Sequence, residues 1–387
     1  MIRPQIPRVA LLVDTSTGWG RRLVRGVVSY AHKHGPWDLW LEPCGQREPL
    51  RLPPGWQGDG VIARVATRAM ANHLRQNRKI VVNVSAIRIS GFKFPRVSTD
   101  TDAAVHMALD HFIDRGIRQL GYVGLPHRVY SAERQQAFAS AAAEAGCEFF
   151  AFTSRPRGAG KTTWKQQQAT LREWLTGLPK PTGIFTWGVQ RGTQVITAAC
   201  HAGLRVPDEV AVLGGDDDEL VCEAVRPSLS GLNTGSEQIG HEAAAMLGRL
   251  MGGEKIDQQV LYVEPTCIVA RGSTDVLALD DADVVAAVRF IRENAHRAIR
   301  VSDVTNAVAM ARRSLERRFQ RVFDRTIAQE ISRLRIERAK KLLAESDLQI
   351  PRVAEASGFG SPEYLATVFR REFGVTPLKY RTKVRGR

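Results

Sequence analysis

The chain has few cysteines, no long apolar run and no arrangement of histidines that a metal could use. Its five cysteines, at 44, 147, 200, 222 and 267, are odd in number and scattered, with no Cys-x-x-Cys pair. That pattern excludes a disulfide framework and a zinc site, and it reads as reduced, buried thiols. The longest apolar runs, such as "VALLV", fall far short of the ~20 residues a membrane span needs. No basic-apolar-small leader precedes them, so the expectation is a cytoplasmic protein with no membrane partner. The nine histidines form no metal-spaced pair with carboxylates, and no Gly-x-Ser-x-Gly elbow occurs. Neither catalytic residues nor a metal or cofactor is expected. Asp110-His111 falls inside an amphipathic stretch and is expected on its surface.

What is present is length, periodicity and positive charge. A chain of 387 residues with 43% apolar content exceeds what one core organises, so two or three domains are expected. Up to about residue 278, short β-branched or apolar runs alternate with amphipathic stretches. "RVALLVDTS", "GVIARV", "KIVVNVS", "QLGYVGL", "CEFFAFTS", "TGIFTWG" and "VAVLGGDDD" read as buried strands. The stretches between them repeat apolar residues at three and four, and several end in the Gly that helix C-caps favour. Such alternation predicts parallel sheets with helices on both faces, arranged as two lobes. Ligands of these folds bind beyond the carboxyl ends of the strands, which singles out the loops "DTSTGWG", "GLPHR", "TWGVQRG" and "GGDDDE".

The net charge is +15, and its distribution points to a partner. Residues 281–387 hold 23 Lys and Arg against 13 Asp and Glu, a net of +10, while the preceding 280 residues hold 32 against 27. A compact segment this basic suits a polyanion, double-stranded DNA before others. Its pattern is helical. "DDADVVAAVRFIRENAH" places Val284, Val288 and Ile291 on one face, and "VSDVTNAVAMARRSLERRFQRVF" breaks near Ala309 between two short helices. A longer amphipathic helix follows, and the helix-turn-helix unit then recurs as "QIPRVAEASGFGSPEYLATVFRREFG".

That second unit resembles the signature of AraC-family transcription regulators. The resemblance rests on Val353-Ala354, Gly358-Phe359, Tyr364, Phe369, Phe373, Gly374, Thr376-Pro377 and Tyr380-Arg381. Gly358 suits the positive φ of a tight turn, Ser361 caps the second helix, and Pro362 starts it. The exposed N-terminal side chains of such a helix enter the major groove while arginines hold phosphates. Arg312, Arg313 and Arg317 in the first unit, and Ser361, Glu363 and Thr367 in the second, are therefore the candidate DNA contacts, with Arg313 or Arg317 suited to reading guanine. Leu315, Phe319, Tyr364 and Phe369 are expected in the core. Ala309 and Ala311 replace the usual turn Gly and cap Ser of the first unit.

The preceding part resembles the ligand-binding core of LacI-family repressors and periplasmic sugar-binding proteins, and the two parts in this order are similar to bacterial xylose operon regulators. "QGDGVIA", "YVGLP", "ERQQAF", "PKPTGIF", "VAVLGGDDDEL" and "ARGSTD" carry the likeness. It implies a periplasmic-binding-protein-like α/β sensor of two lobes over 1–278 and an all-α AraC-type DNA-binding domain with two helix-turn-helix units over 279–387. It further implies a homodimer controlled by a sugar-like small-molecule effector. Arg134 and Asp216 carry over as polar ligand contacts. Val189 stands where the family has a sugar-binding Asp, and Gly20 where the xylose regulators have an acidic residue. Trp19 and Trp187 lie beside those positions and shift the pocket toward stacking, away from xylose itself. Asp14 and Arg21 or Arg22 are further polar candidates.

Two other functions fit the sequence less well. "PRGAGKTTW" ends like a nucleotide-binding phosphate loop, but Arg155 stands where its first Gly belongs and Pro156 has no N–H to donate. It reads instead as a basic loop whose Thr162 or Thr163 caps the next helix. A transport-associated binding protein accounts for two lobes but not for the basic helical end.

Overall fold

The computed structural model describes residues 6–42, 50–77, 79–125, 129–152, 163–256, 260–278 and 281–385. The first elements are β1 (Arg8–Leu12), α1 (Gly18–His34), β2 (Asp38–Leu41), β3 (Gly60–Ala63), α2 (Arg68–Gln76), β4 (Ile80–Asn83) and β5 (Arg96–Thr99). The chain then crosses to α3 (Thr101–Ile113), β6 (Gln119–Val123), α4 (Val129–Glu144), β7 (Glu148–Ala151), α5 (Trp164–Gly177), β8 (Thr182–Thr186), α6 (Val189–His201), β9 (Val210–Gly214), α7 (Glu219–Ala224) and β10 (Ser230–Asn233). It returns through α8 (Ser236–Met251) and β11 (Val260–Val263), and crosses again into β12 (Cys267–Val269).

Two sheets result, ordered β11-β5-β4-β3-β1-β2 and β12-β10-β9-β8-β6-β7. The first is parallel throughout, and in the second only β12 runs against its neighbour β10. The short crossing segments are laced together. Asp100 N–H donates to the Val263 carbonyl at 2.7 Å and Thr266 N–H to the Asn233 carbonyl at 2.8 Å. This is the hinged two-lobe layout that the strand–helix alternation predicts.

Each strand read from the sequence forms. The short β2, β5, β10, β11 and β12, at sheet edges and crossings, carry too few residues to stand out by periodicity. Each lobe buries one apolar cluster on either face of its sheet. In the first lobe Leu23 and Val27 of α1 and Ile239, Ala243 and Leu247 of α8 cover one face, while Met70, Ala71 and Leu74 of α2 cover the other.

The remaining chain is helical: α9 (Ala282–Asn294), α10 (Val301–Val308), α11 (Arg312–Phe323), α12 (Ile327–Glu345), α13 (Ile350–Ala356), α14 (Pro362–Phe373) and α15 (Pro377–Arg385). Two small cores form on opposite ends of α12. Val284, Val288, Ile291, Val304, Leu315 and Phe319 fill one; Val353, Phe359, Leu365, Phe369 and Tyr380 fill the other. The repeat seen in the sequence is thus two helix-turn-helix units sharing one long helix. Thr163 caps α5 through a reciprocal pair with Gln166; Thr162 and the preceding "PRGAGK" lie outside the described residues, as does Cys44.

The helical part touches both lobes. Asp114, at the end of α3, accepts from Arg325 at 2.6 Å and pairs with Arg333 at 2.9 Å, both on the α12 side. Glu330, only 2% exposed, completes the cluster with bonds from the same two arginines. Burial pushes the Glu330 carboxyl up, but Arg333 and Arg325 outweigh it and hold it below its ordinary value. On the first lobe, α15 packs against α8.

Three sequence expectations fail here. Cys200 is exposed, while Cys147, Cys222 and Cys267 are buried as expected. Tyr364 is 54% exposed, because Phe359 already fills the small core and Tyr364 meets it only at a tilt, 5.9 Å between rings. His111 is buried, unlike its neighbour Asp110, and meets Thr274 Oγ1 at 2.9 Å. Burial, aided by Arg115, drives its pKa well down and keeps the ring neutral.

Candidate effector cleft and nucleic-acid interface

The loops after β1, β8 and β9 face one another at the carboxyl ends of their strands. The loop after β1 is tight. Asp14 Oδ1 accepts from the N–H and hydroxyl of Ser16 at 2.9 and 2.6 Å, and Thr17 caps α1 through Gly20 N–H. A Cβ at position 20 would lie 1.9 Å from the Asp14 carbonyl, so Gly20 is fixed by close approach and an acidic side chain has no room there. Asp14 is buried and holds its own loop.

From the second lobe, Asp216 follows β9 and its Oδ1 accepts the Val189 N–H at 2.5 Å. That bond supplies the cap which Gly188, at the start of α6, lacks in its own side chain. Desolvation raises the Asp216 pKa, against the pull of this bond and of Arg134, Arg22 and Arg64. The Val189 side chain is buried in the lobe core, turned away from the loops.

Arg134 of α4 is 8% exposed, lies 4.4 Å over the Trp187 ring, and donates to the Trp187 carbonyl at 3.3 Å. Its Nε is buried without a partner among the described residues. Tyr130 meets Trp187 from another side, 4.9 Å between ring centres. Trp19 packs partly into the first lobe's core under Arg64, 5.3 Å away.

Arg64 closes the "GVIAR" strand, and that strand-end position is its one sequence signal; periodicity does not single it out. Among the described residues Asp216, Arg64 and Arg134 take part in no ion pair. The neighbouring acids do: Asp218 accepts from Gly18 N–H at 2.6 Å and from Arg21 at 3.2 Å, and Asp217 binds Arg271 at 2.7 Å and faces Arg22. Arg21 and Arg22 thus tie the lobes together across the cleft.

The candidate DNA residues divide by exposure. Arg312, Arg313 and Arg317 are exposed on α11; Arg312 is held by Glu316 at 2.9 Å, while Arg313 and Arg317 form no ion pair among the described residues. In the second unit Ser361 is spent on capping α14 through Tyr364 N–H at 3.2 Å. Glu363 and Thr367 are exposed one turn apart, the Thr367 hydroxyl donating to the Glu363 carbonyl at 2.9 Å. Tyr364 and Arg370 share that open face. Arg318, by contrast, is structural: it clamps Asp281 and Asp283 at 2.6 and 2.8 Å.

A hinged two-lobe sensor joined to paired helix-turn-helix units defines a ligand-controlled transcription regulator. Residues 109–274 match the family described as periplasmic binding protein-like domain, and residues 304–383 match a helix-turn-helix domain. The chain is 30% identical to the xylose operon regulatory protein of Escherichia coli K12, covering 97% of this chain and 96% of that protein. Its counterpart in Haemophilus influenzae is also 30% identical, with 97% and 98% covered. The solved structure of the xylose-binding transcription activator XylR superposes with a TM-score of 0.63 at 28% identity, covering 98% of both chains. The chain belongs to this family of xylose operon regulators, AraC-type DNA-binding proteins with a periplasmic-binding-protein-like sensor. It is a transcription regulator and not an enzyme. Among the described residues no helix is long and apolar enough to cross a membrane.

Proposed function

We propose that the chain is an operator-binding homodimer, acting in the cytoplasm, whose sensor over 1–278 takes a sugar or sugar derivative between its lobes and sets the DNA affinity of residues 279–387. The observation that carries this reading is the trio Asp216, Arg64 and Arg134. Among the described residues Asp216 attracts both arginines without closing into an ion pair, and such a set is costly unless a ligand completes it. Asp216 accepts sugar hydroxyls, Arg134 and Arg64 donate to oxygen, and Trp187 and Trp19 supply the apolar faces against which sugar rings stack. Asp14 contributes by shaping its loop.

The relatives named for xylose support a sugar. Two guanidiniums against one carboxylate favour a derivative bearing an acidic group, an aldonic or uronic acid, over a neutral pentose. Thermal melting of the full chain with neutral sugars and sugar acids checks this. A saturating effector should stabilise by about 2.7 kcal/mol at a hundredfold excess over its Kd. The sugar acids are expected to raise the melting temperature more than xylose does. A rise with xylose alone removes the acidic group from the proposal, and no rise with any of them removes the sugar.

The DNA side uses α11 and α14 as the groove-entering helices. Arg313 and Arg317 stand free to meet bases or phosphates, with Arg312, Ser361, Glu363 and Thr367 flanking.

A further inference from the structure

Outside the cleft, the first lobe has a cavity of about 450 Å³. Of its apolar lining, Val65, Ile89, Phe92 and Phe94 belong to the core cluster on the α2 face of the sheet, between β4, β5 and the edge strand β11. Asn83, Arg88, Phe92, Lys93, Phe94 and Arg96 define its character: three cations, two aromatic rings and an amide. Among the described residues that line it there is no carboxylate, and none belongs to the effector cleft's polar or tryptophan set.

Arg96 is the unusual member. It is 7% exposed at the first position of β5, held in register with Asn83 and Val260. Among the described residues, one of its five N–H donors reaches the Ala86 carbonyl at 3.4 Å, and Nε is buried with no partner. No ion pair to it exists among the described residues. A buried guanidinium is costly unless an anion faces it. The amide of Asn83 has its oxygen committed to the N–H groups of Val65 and Ser85, at 3.1 and 2.9 Å, which leaves its NH2 as a donor. Phe92 and Phe94 lie nearly parallel, 6.1 Å apart, and Arg88 and Lys93 are exposed at the rim.

We propose that this cavity is a second ligand site, for a small organic anion with a flat apolar body, its charged group on Arg96 and its ring beside Phe92 and Phe94. The volume falls in the range of small-molecule pockets, and the bidentate fork of a guanidinium suits a carboxylate or a phosphate monoester alike. Arg88 and Lys93 draw the anion in and make binding salt-dependent.

Calorimetric titration of the full chain with benzoate and with phenyl phosphate tests the site, with benzamide as the neutral control. One anion at least should bind one per chain, more weakly as salt rises, and the stronger of the two tells carboxylate from phosphate. Arg96→Met should weaken that binding tenfold or more. Because Arg96 is buried, the exposed pair Arg88→Ala/Lys93→Ala serves as a second variant; it should melt like the parent and bind several-fold more weakly with a shallower salt dependence. Benzamide binding as tightly as benzoate, neither anion binding, or both variants binding like the parent overturns the proposal. So does sedimentation in which Arg96→Met dissociates a ligand-free dimer, since a second copy would then supply the anion.

Discussion

At the scale of single residues, two departures from the family pattern have visible costs. Ala309 takes the left-handed conformation, φ 53, that glycine adopts without strain, and Ala311 begins α11 with no side-chain cap. The left-handed alanine costs about 1 kcal/mol, and a missing Ser cap about another. Ala309→Gly with Ala311→Ser is therefore expected to stabilise the chain by ~2 kcal/mol in denaturant unfolding; an unchanged midpoint would contradict the turn as described. Asp216 gives a prediction in pH. Its folded pKa lies above the ordinary 3.8, so its ionised form is the strained one and stability is lost as pH rises through the folded value. Asp216→Asn keeps an oxygen for the Val189 N–H and stays neutral. At pH 7 it should melt above the parent, with the gap closing below pH 3.8; a parent that melts as high at neutral pH refutes this.

At the scale of elements, the repeated unit was legible because its turns, caps and apolar spacing are local. Gly358 illustrates how far that goes. Its φ of 78 was expected from the turn, but a Cβ there would also lie 2.1 Å from the Ala295 carbonyl of the other unit, which no local pattern reveals. The same limit hid Arg64 and Arg96, whose importance lies in partners they lack, and it misplaced Tyr364 and His111. Periodicity assigns a face to a side chain, and the packing of another element decides whether that face is covered. On α11, exposure without an ion pair singles out Arg313 and Arg317. Arg317→Ala should weaken operator binding and reduce the slope of log affinity against log salt by about 1 if the contact is to phosphate. Gel-shift titrations at two salt concentrations measure it, and equal affinities at both would remove Arg317 from the interface.

At the scale of the whole molecule, the helical part is braced on both lobes: α12 through Asp114, Arg325, Arg333 and Glu330, and α15 against α8. An effector that changes the angle between the lobes must change at least one of those contacts, and so bias how the DNA-binding helices are held. None of this bracing was readable from the sequence, because Asp114 and Arg325 are 211 positions apart. Coupling of this kind typically changes affinity by about 5- to 150-fold. The most direct measurement is the operator Kd of the full chain with and without a sugar shown by melting to bind, repeated with Asp114→Ala. The account predicts a shift of at least about fivefold in the parent, and a smaller one in the variant, which still binds the sugar. A sugar that binds the parent yet leaves its operator Kd unchanged would contradict it.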